Sequence, residues 1–198
     1  MKSDSQAGLC GYCECRLADG SGTLPGGVAH LDHFYQKGRS RNARMMYDWD
    51  NLVLSCKHKD SCGKYKDCQS IESVDIINPN VEDARSMMTF VATPCRNHGV
   101  SITARGLDGP NRQRAENTIK ALNLNCNRLS VMRYNRWLTF KQSAEALLDY
   151  VKTVPDNDEL GQALFRHELH VLLTEMEQGE YPSAMRALAK EFFPSYVD

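Results

Sequence analysis

An aspartate and a histidine stand side by side at Asp32-His33, two residues after His30, in the segment Val28-Ala-His-Leu-Asp-His-Phe34. A carboxylate is a hard ligand for a divalent cation, and an imidazole titrates near neutral pH. Metal-assisted hydrolysis calls for both, a cation to hold and a base beside it. Two cysteine pairs bracket the segment, Cys10-x2-Cys13 before it and Cys56-x5-Cys62 after it. Four thiolates can close a tetrahedral zinc site, and in a stretch with so little core of its own that would supply on the order of 10 kcal/mol of folding free energy. The second gap is wider than the usual two to four residues, which leaves Cys15, His58 or Cys68 as alternative ligands.

The elements that must position these groups follow from the pattern around them. Apolar residues alternate with ionisable ones over 28–34, as in a half-buried strand. His30, Asp32 and Phe34 then share one face, and Ala29, Leu31 and His33 the other. Residues 9–16 form a knuckle, with Gly11 giving the turn between the cysteines its backbone freedom. Residues 19–27 are a glycine-rich loop. Lys37, Arg39, Arg41 and Arg44 lie on a basic loop suited to phosphate contacts. A second strand spans Trp49 to Ser55, and a short helix capped by Asp60 or Ser61 runs from Cys62 to Cys68. Beyond it come extended chain over 71–79, a turn at Asn78-Pro79-Asn80, and a hairpin of strands over 87–92 and 100–104. Helices follow: one from Pro110, a long one over 127–151, and two more over 158–178 and 183–192.

Composition bounds the class. The chain has 198 residues, 41% hydrophobic and 25% charged, as in an ordinary globular protein. No apolar run approaches the ~20 residues of a membrane span. The first residues lack the apolar core of a signal peptide, so a cytoplasmic location is expected. In that reducing compartment eight cysteines suggest metal ligands and buried thiols over disulfides. The net charge of −1 hides an asymmetry: residues 1–142 hold 20 Lys+Arg against 14 Asp+Glu, and residues 143–198 hold 4 against 11. A basic front and an acidic tail suit a nucleic-acid-facing part joined to one that avoids phosphate.

Taken together, Cys10-x2-Cys13, His30-Leu-Asp32-His33-Phe34, Trp49-Asp50-Asn51-Leu52-Val53-Leu54-Ser55-Cys56 and Cys62-x3-Lys66 resemble an HNH (His-Me finger) nuclease. With Asn78-Pro79-Asn80 and the 115–125 segment leading to Arg133, residues 9–140 resemble more narrowly the HNH subunit of Septu-type and retron-associated anti-phage systems. The resemblance implies an α+β fold, a small zinc-stapled ββα-metal core followed by a mainly α-helical module. The expected divisions are a disordered 1–8, a nuclease core over 9–75, an extended or hairpin connector over 76–106, and a helical partner-docking module over 107–198.

It further implies His33 as general base, Asp32 as ligand of a catalytic Mg²⁺ or Mn²⁺, and Asn51 as the residue holding the intervening loop. Lys37, Arg39, Arg41 and Lys66 would contact the substrate, and Cys10, Cys13, Cys56 and Cys62 would hold structural Zn²⁺. The implied partners are an ABC-type ATPase and, in retron systems, a reverse transcriptase with its reverse-transcribed DNA. Two positions depart from the family pattern: Gln36 replaces a proline, and Gly63 stands where a metal-ligating histidine or asparagine belongs. His58 or Asp60 is then the substitute ligand, with His58 preferred. The alternatives are a nuclease acting on RNA such as tRNA, or a catalytically inactive, zinc-stabilised bridging module.

Other features carry less. His167 and His170 share a helix face and read as surface or interface residues, and Cys95-x2-His98, which could be half a metal site, has no second half and reads as a turn. Arg105, Arg112, Arg114, Lys120, Arg128, Arg133 and Arg136 either line a nucleic-acid groove or pair with acidic groups.

Overall fold

The computed structural model describes residues 6–17, 27–37, 40–93, 99–106 and 108–197. The protein is α+β, with two small antiparallel sheets and a predominance of helix. The alternating segment forms β1 (Ala29–His33), paired antiparallel with β2 (Leu52–Cys56) in the register Ala29↔Cys56 through His33↔Leu52. β2 starts later than Trp49 because Asp48 caps a 3-10 turn over Trp49–Asn51, accepting from Asp50 N at 3.0 Å. The basic stretch is likewise no open loop, since Ser40–Met45 winds into a 3-10 helix.

α1 (Cys62–Lys66) folds back over the hairpin, with Gly63 N donating to Ser55 Oγ at 3.1 Å. The knuckle packs beside it. Leu9 bridges Arg16, Cys10 N donates to Cys15 O, and Gly11 N reaches Leu54 O, the last two at 2.9 Å. Gly11 is small for a different reason from the one its sequence suggests. The left-handed residue of the knuckle is Glu14 (φ 62), while a Cβ on Gly11 would meet Val53 Cγ1 at 2.6 Å. Nor are residues 6–8 loose. The Gln6 side chain pairs with the Leu54 backbone, accepting from its N–H and donating to its carbonyl, each at 3.0 Å, as an added strand would.

α2 (Ala84–Met87) leads into the hairpin of β3 (Met88–Thr93) and β4 (Gly99–Ala104). Asn125 extends this sheet's hydrogen bonding, accepting from Ile102 N at 2.7 Å and donating to Ile102 O at 2.8 Å. α3 (Gly109–Ala121) starts with Pro110 in its first turn. Its Thr118 hydroxyl accepts from Ile77 N at 2.8 Å and donates to Arg114 O at 2.7 Å.

α4 (Asn127–Thr153) buries Leu129, Arg133, Trp137, Phe140 and Ala144, one stripe at three- and four-residue spacing. It packs against β4, α5 (Glu159–Gln178) and α6 (Pro182–Ala189). The C-terminal helix closes on the knuckle. Glu14 accepts from Ser183 N at 2.9 Å and from the Ser183 hydroxyl, while Tyr181 N donates to Glu14 O at 3.0 Å. One continuous apolar core, from Cys10 to Val197, therefore runs through the cysteine-bearing region, the hairpin and the helices. Among the described residues no helix is long and apolar enough to cross a membrane.

Candidate functional site

The knuckle brings Cys10 and Cys13 up to Cys56, the last residue of β2, and to Cys62, the first of α1. All four side chains are buried, their sulfurs lie within 4.8 Å of one another, and Cys10 Sγ is 3.8 Å from Cys62 Sγ. Four thiolates at ~2.3 Å from a tetrahedral ion would be separated by about 3.8 Å, so this donor set can hold a metal ion of the Zn²⁺ type. Cys62 takes a left-handed conformation (φ 60), and its N–H donates to Leu122 O at 2.8 Å.

The wide gap between Cys56 and Cys62 is thus no obstacle. The strand end and the helix start return to one point around an exposed loop. Cys15 is buried next to the four, while Cys68 is exposed and lies apart from them. Hydrogen bonding among the sulfurs makes their acidities unequal. Burial pushes the Cys10 thiol up, but donation from Cys13, Cys15, Cys56 and Cys62 outweighs it and holds Cys10 well below the ordinary thiol value. Cys62 is held above that value by its neighbours Cys10, Cys13 and Cys56 and by burial.

Asp32 and His33 sit at the far end of the same hairpin, opposite Val53 and Leu52. Asp32 is 4% exposed. Its Oδ2 accepts from the Tyr12 hydroxyl and faces Lys66 Nζ at 3.2 Å. Burial raises the Asp32 carboxyl above the usual carboxylate range, with Lys66 and Tyr12 pulling the other way. Lys66, expected at the substrate, is itself buried, and its ammonium donates to His33 O at 2.9 Å and Phe34 O at 3.3 Å. It braces β1 from inside because an uncompensated Asp32 charge could not be buried there.

His33 Nε2 lies 2.9 Å from Met46 O. A carbonyl can only accept, so Nε2 carries a proton, and in the neutral imidazole Nδ1 is the acceptor. Asn51, 1% exposed, accepts from Tyr35 N at 2.6 Å and donates to Tyr35 O at 3.3 Å and Met45 O at 2.9 Å. It ties both ends of the segment between the strands.

A concavity of about 590 Å³ opens here, lined by His30, Leu31, Asp32, His33, Gln36, Lys37, Lys64 and Asp67. Lys64 and Asp67, one turn apart around α1, were missed from sequence. Their three-residue spacing is the signal that could have placed both on the face turned toward β1. The ring nitrogens of His30 are buried and have no hydrogen-bond partner among the described residues. Lys37 joins this site. Arg39 falls outside the described residues, and of Arg41 the backbone alone is described, in the 3-10 helix Ser40–Met45.

The expected cation ligands do not assemble. His58 is exposed, beyond the Ala29–Cys56 end of the ladder, while Asp32 is near the other end. Asp60 is committed to Arg128, whose Nε and Nη2 reach its two oxygens at 3.1 and 3.0 Å. Among the described residues the cysteine cluster is the group fit to hold a metal ion, and the donors around Asp32 do not fit a second one as they stand.

The basic residues of the helices are also spoken for in several places. Arg112 pairs with Glu116, Arg114 with Glu82, and Arg136 donates to Glu175 O. Arg133 is 1% exposed and does not present its guanidinium at the surface. The Cys95-x2-His98 stretch lies outside the described residues. Comparisons with protein families, curated proteins and solved structures found no match to this chain.

Proposed function

We propose that the protein is an HNH-type endonuclease that hydrolyses phosphodiester bonds of nucleic acid, with zinc in its four-cysteine cluster as a structural staple. The observation that carries this reading is the order hairpin then helix, β1–β2–α1, with Asp32-His33 ending the first strand and opening onto a concavity rimmed by Lys37 and Lys64. His33, its Nε2–H occupied by Met46 O, accepts a proton from water at Nδ1. The resulting hydroxide bonds to phosphorus as the P–O bond to the leaving oxygen breaks, and that oxygen takes up a proton from solvent. Lys37 and Lys64 offset the charge that gathers on the phosphoryl oxygens. Asn51 and Lys66 hold the backbone from His33 through Tyr35, so that the ring is positioned before substrate arrives.

The role we assign is effector subunit of a Septu- or retron-type anti-phage complex with an ABC-type ATPase. Leu160, Leu164 and Val171, exposed along α5, support a docking role for the helical half, where a partner would gate the nuclease. The test is cleavage of DNA and of RNA by the chain with its ATPase, with Mg²⁺, with Mn²⁺ and with chelator, for the wild type and His33→Ala. Cleavage undiminished in His33→Ala would sink the base assignment.

A second reading is favoured by one specific observation. Asp32 Oδ2 is already engaged by Tyr12 and Lys66, and Gly63 supplies no ligand beside it. A zinc-stabilised module that bridges partners without catalysis would have this arrangement. It predicts no cleavage of any nucleic acid by the assembled complex in either metal.

A further inference from the structure

Two cations are buried among the described residues, Lys66 and Arg133. Lys66 has its carboxylate, Asp32, at 3.2 Å. Arg133 has no carboxylate paired with it among the described residues. Its Nη1 donates to Leu124 O at 2.7 Å, and its guanidinium lies 5.9 Å from the centre of the Tyr181 ring. A guanidinium stays charged in proteins, and a buried charge without a counter-charge costs several kcal/mol. Something must balance it.

The candidate is next to it. Arg133 lines the same cavity, of about 510 Å³, as Cys10 and Cys13. The ionisable groups near it are Cys13, Tyr181, Glu14 and Cys62. Of these, Tyr181 is neutral at ordinary pH, since burial pushes its hydroxyl upward. Glu14 is charged, but both its oxygens face Ser183 and its ion pair is with Arg85. The cysteines carry the larger charge once they hold a metal ion. Four thiolates around a divalent ion carry a net charge of −2, and this charge is enclosed by protein, with all four residues at most 3% exposed.

We propose that Arg133 is the internal counter-charge of the four-cysteine metal site, set by α4 against the knuckle so that metal loading and helix docking stabilise each other. The proposal rests on the cluster holding a divalent ion and is independent of nuclease activity. It explains why a long helix of the C-terminal half carries an arginine in the middle of its buried stripe, between Leu129 and Trp137. It also gives the closing contacts a purpose. Arg133 stacks over Tyr181, whose N–H holds Glu14 O in the knuckle.

The experiment compares the wild type with Arg133→Met and Arg133→Lys. Co²⁺ is titrated while the thiolate charge-transfer band is followed, and Zn²⁺ competition converts the result to zinc affinity. Loss of a group supporting metal ligands commonly weakens binding by about 10- to 100-fold, and at least tenfold is expected for Arg133→Met. Arg133→Lys keeps the charge and should stay within about threefold of the wild type, even if its melting temperature falls. Wild-type affinity in Arg133→Met, or equal weakening in both variants, would overturn the proposal. If Arg133→Met does not accumulate as folded protein, Arg133→Lys decides, and a tenfold loss there overturns it. A wild type that takes up neither ion removes the metal reading itself, a result distinct from a metal-loaded wild type whose variants bind equally well.

Discussion

Gly63 stands so close to Asp32 that a Cβ on it would lie 2.9 Å from Asp32 Cγ and 3.0 Å from Oδ1. The carboxylate cannot swing aside freely, because Tyr12 and Lys66 grip its Oδ2. Gly63 cannot retreat, because its N–H is held by Ser55 Oγ. Gly63→Ala should therefore destabilise by about 1–2 kcal/mol, overpacking outweighing the ~1 kcal/mol that alanine gains in a helix. Urea denaturation measures it, and a stabilised variant would show that Asp32 is looser than this geometry.

Lys66→Met leaves the buried Asp32 carboxylate with the Tyr12 hydroxyl alone. A loss of about 3–5 kcal/mol is expected, with partial recovery in Asp32→Asn/Lys66→Met, where no lone charge remains. The pH dependence has a definite sign. Burial raises the folded-state Asp32 carboxyl despite Lys66, and removing Lys66 raises it further. The folded variant then holds a proton that the unfolded chain has released, so its stability relative to wild type falls as pH rises above the ordinary aspartate range. Denaturation midpoints from pH 4 to pH 8 check this, and a deficit that shrinks with rising pH contradicts it.

Asn51→Ala removes three hydrogen bonds that pin Tyr35 and Met45. Leaving Tyr35 N and Met45 O unmatched should cost about 1–3 kcal/mol. Hydrogen exchange should speed up at Tyr35 and through 43–46. Protection equal to wild type there would mean that the loop is held by something else.

Glu82 and Arg114 form a bidentate pair, both contacts at 2.7 Å, each side chain about one-quarter exposed. Hydrogen bonds from Arg114 hold the Glu82 carboxyl below its ordinary value. The pair's stabilisation is present above that ordinary value and is lost as pH falls through the lower folded one. Glu82→Gln should lower stability at pH 7 by about 1 kcal/mol, after allowance for solvent screening, and the difference should shrink as acid protonates Glu82 in the folded wild type. A constant offset at every pH would refute the ionic assignment.

Metal removal tests the cluster directly. One zinc per chain by elemental analysis, and a loss of folded structure on chelation or in Cys10→Ser/Cys13→Ser, are the expected outcomes. Because Glu14 of the knuckle caps α6 through Ser183, amide protection in Pro182–Ala189 should fall with the metal. Unchanged protection would show that the helix docks without it.

Much of the local order was legible in the residues. The alternation over 28–34 specified β1 and its two faces, because the two-residue period of a strand is read directly from side chains. Helices from Pro110, Asn127 and Glu159 onward followed from apolar spacing and caps. The four cysteines named themselves by pairing, although nothing in the spacing shows that Cys56 and Cys62 reach one point across an exposed loop.

What tertiary structure alone decided is how the charges are matched. Lys66 and Arg133 look like any surface cation in the sequence, since a long basic side chain is usually solvated. Only the packed chain turns one toward Asp32 and buries the other beside Tyr181, in the cavity it shares with Cys10 and Cys13. The same holds for the Asp32-His33 pair. Their adjacency is written in the sequence, but the burial that ties up Asp32, and the Met46 carbonyl that fixes the proton on His33 Nε2, come from segments that only folding brings alongside. Local periodicity is a property of neighbours along the chain; charge compensation is a property of neighbours in space.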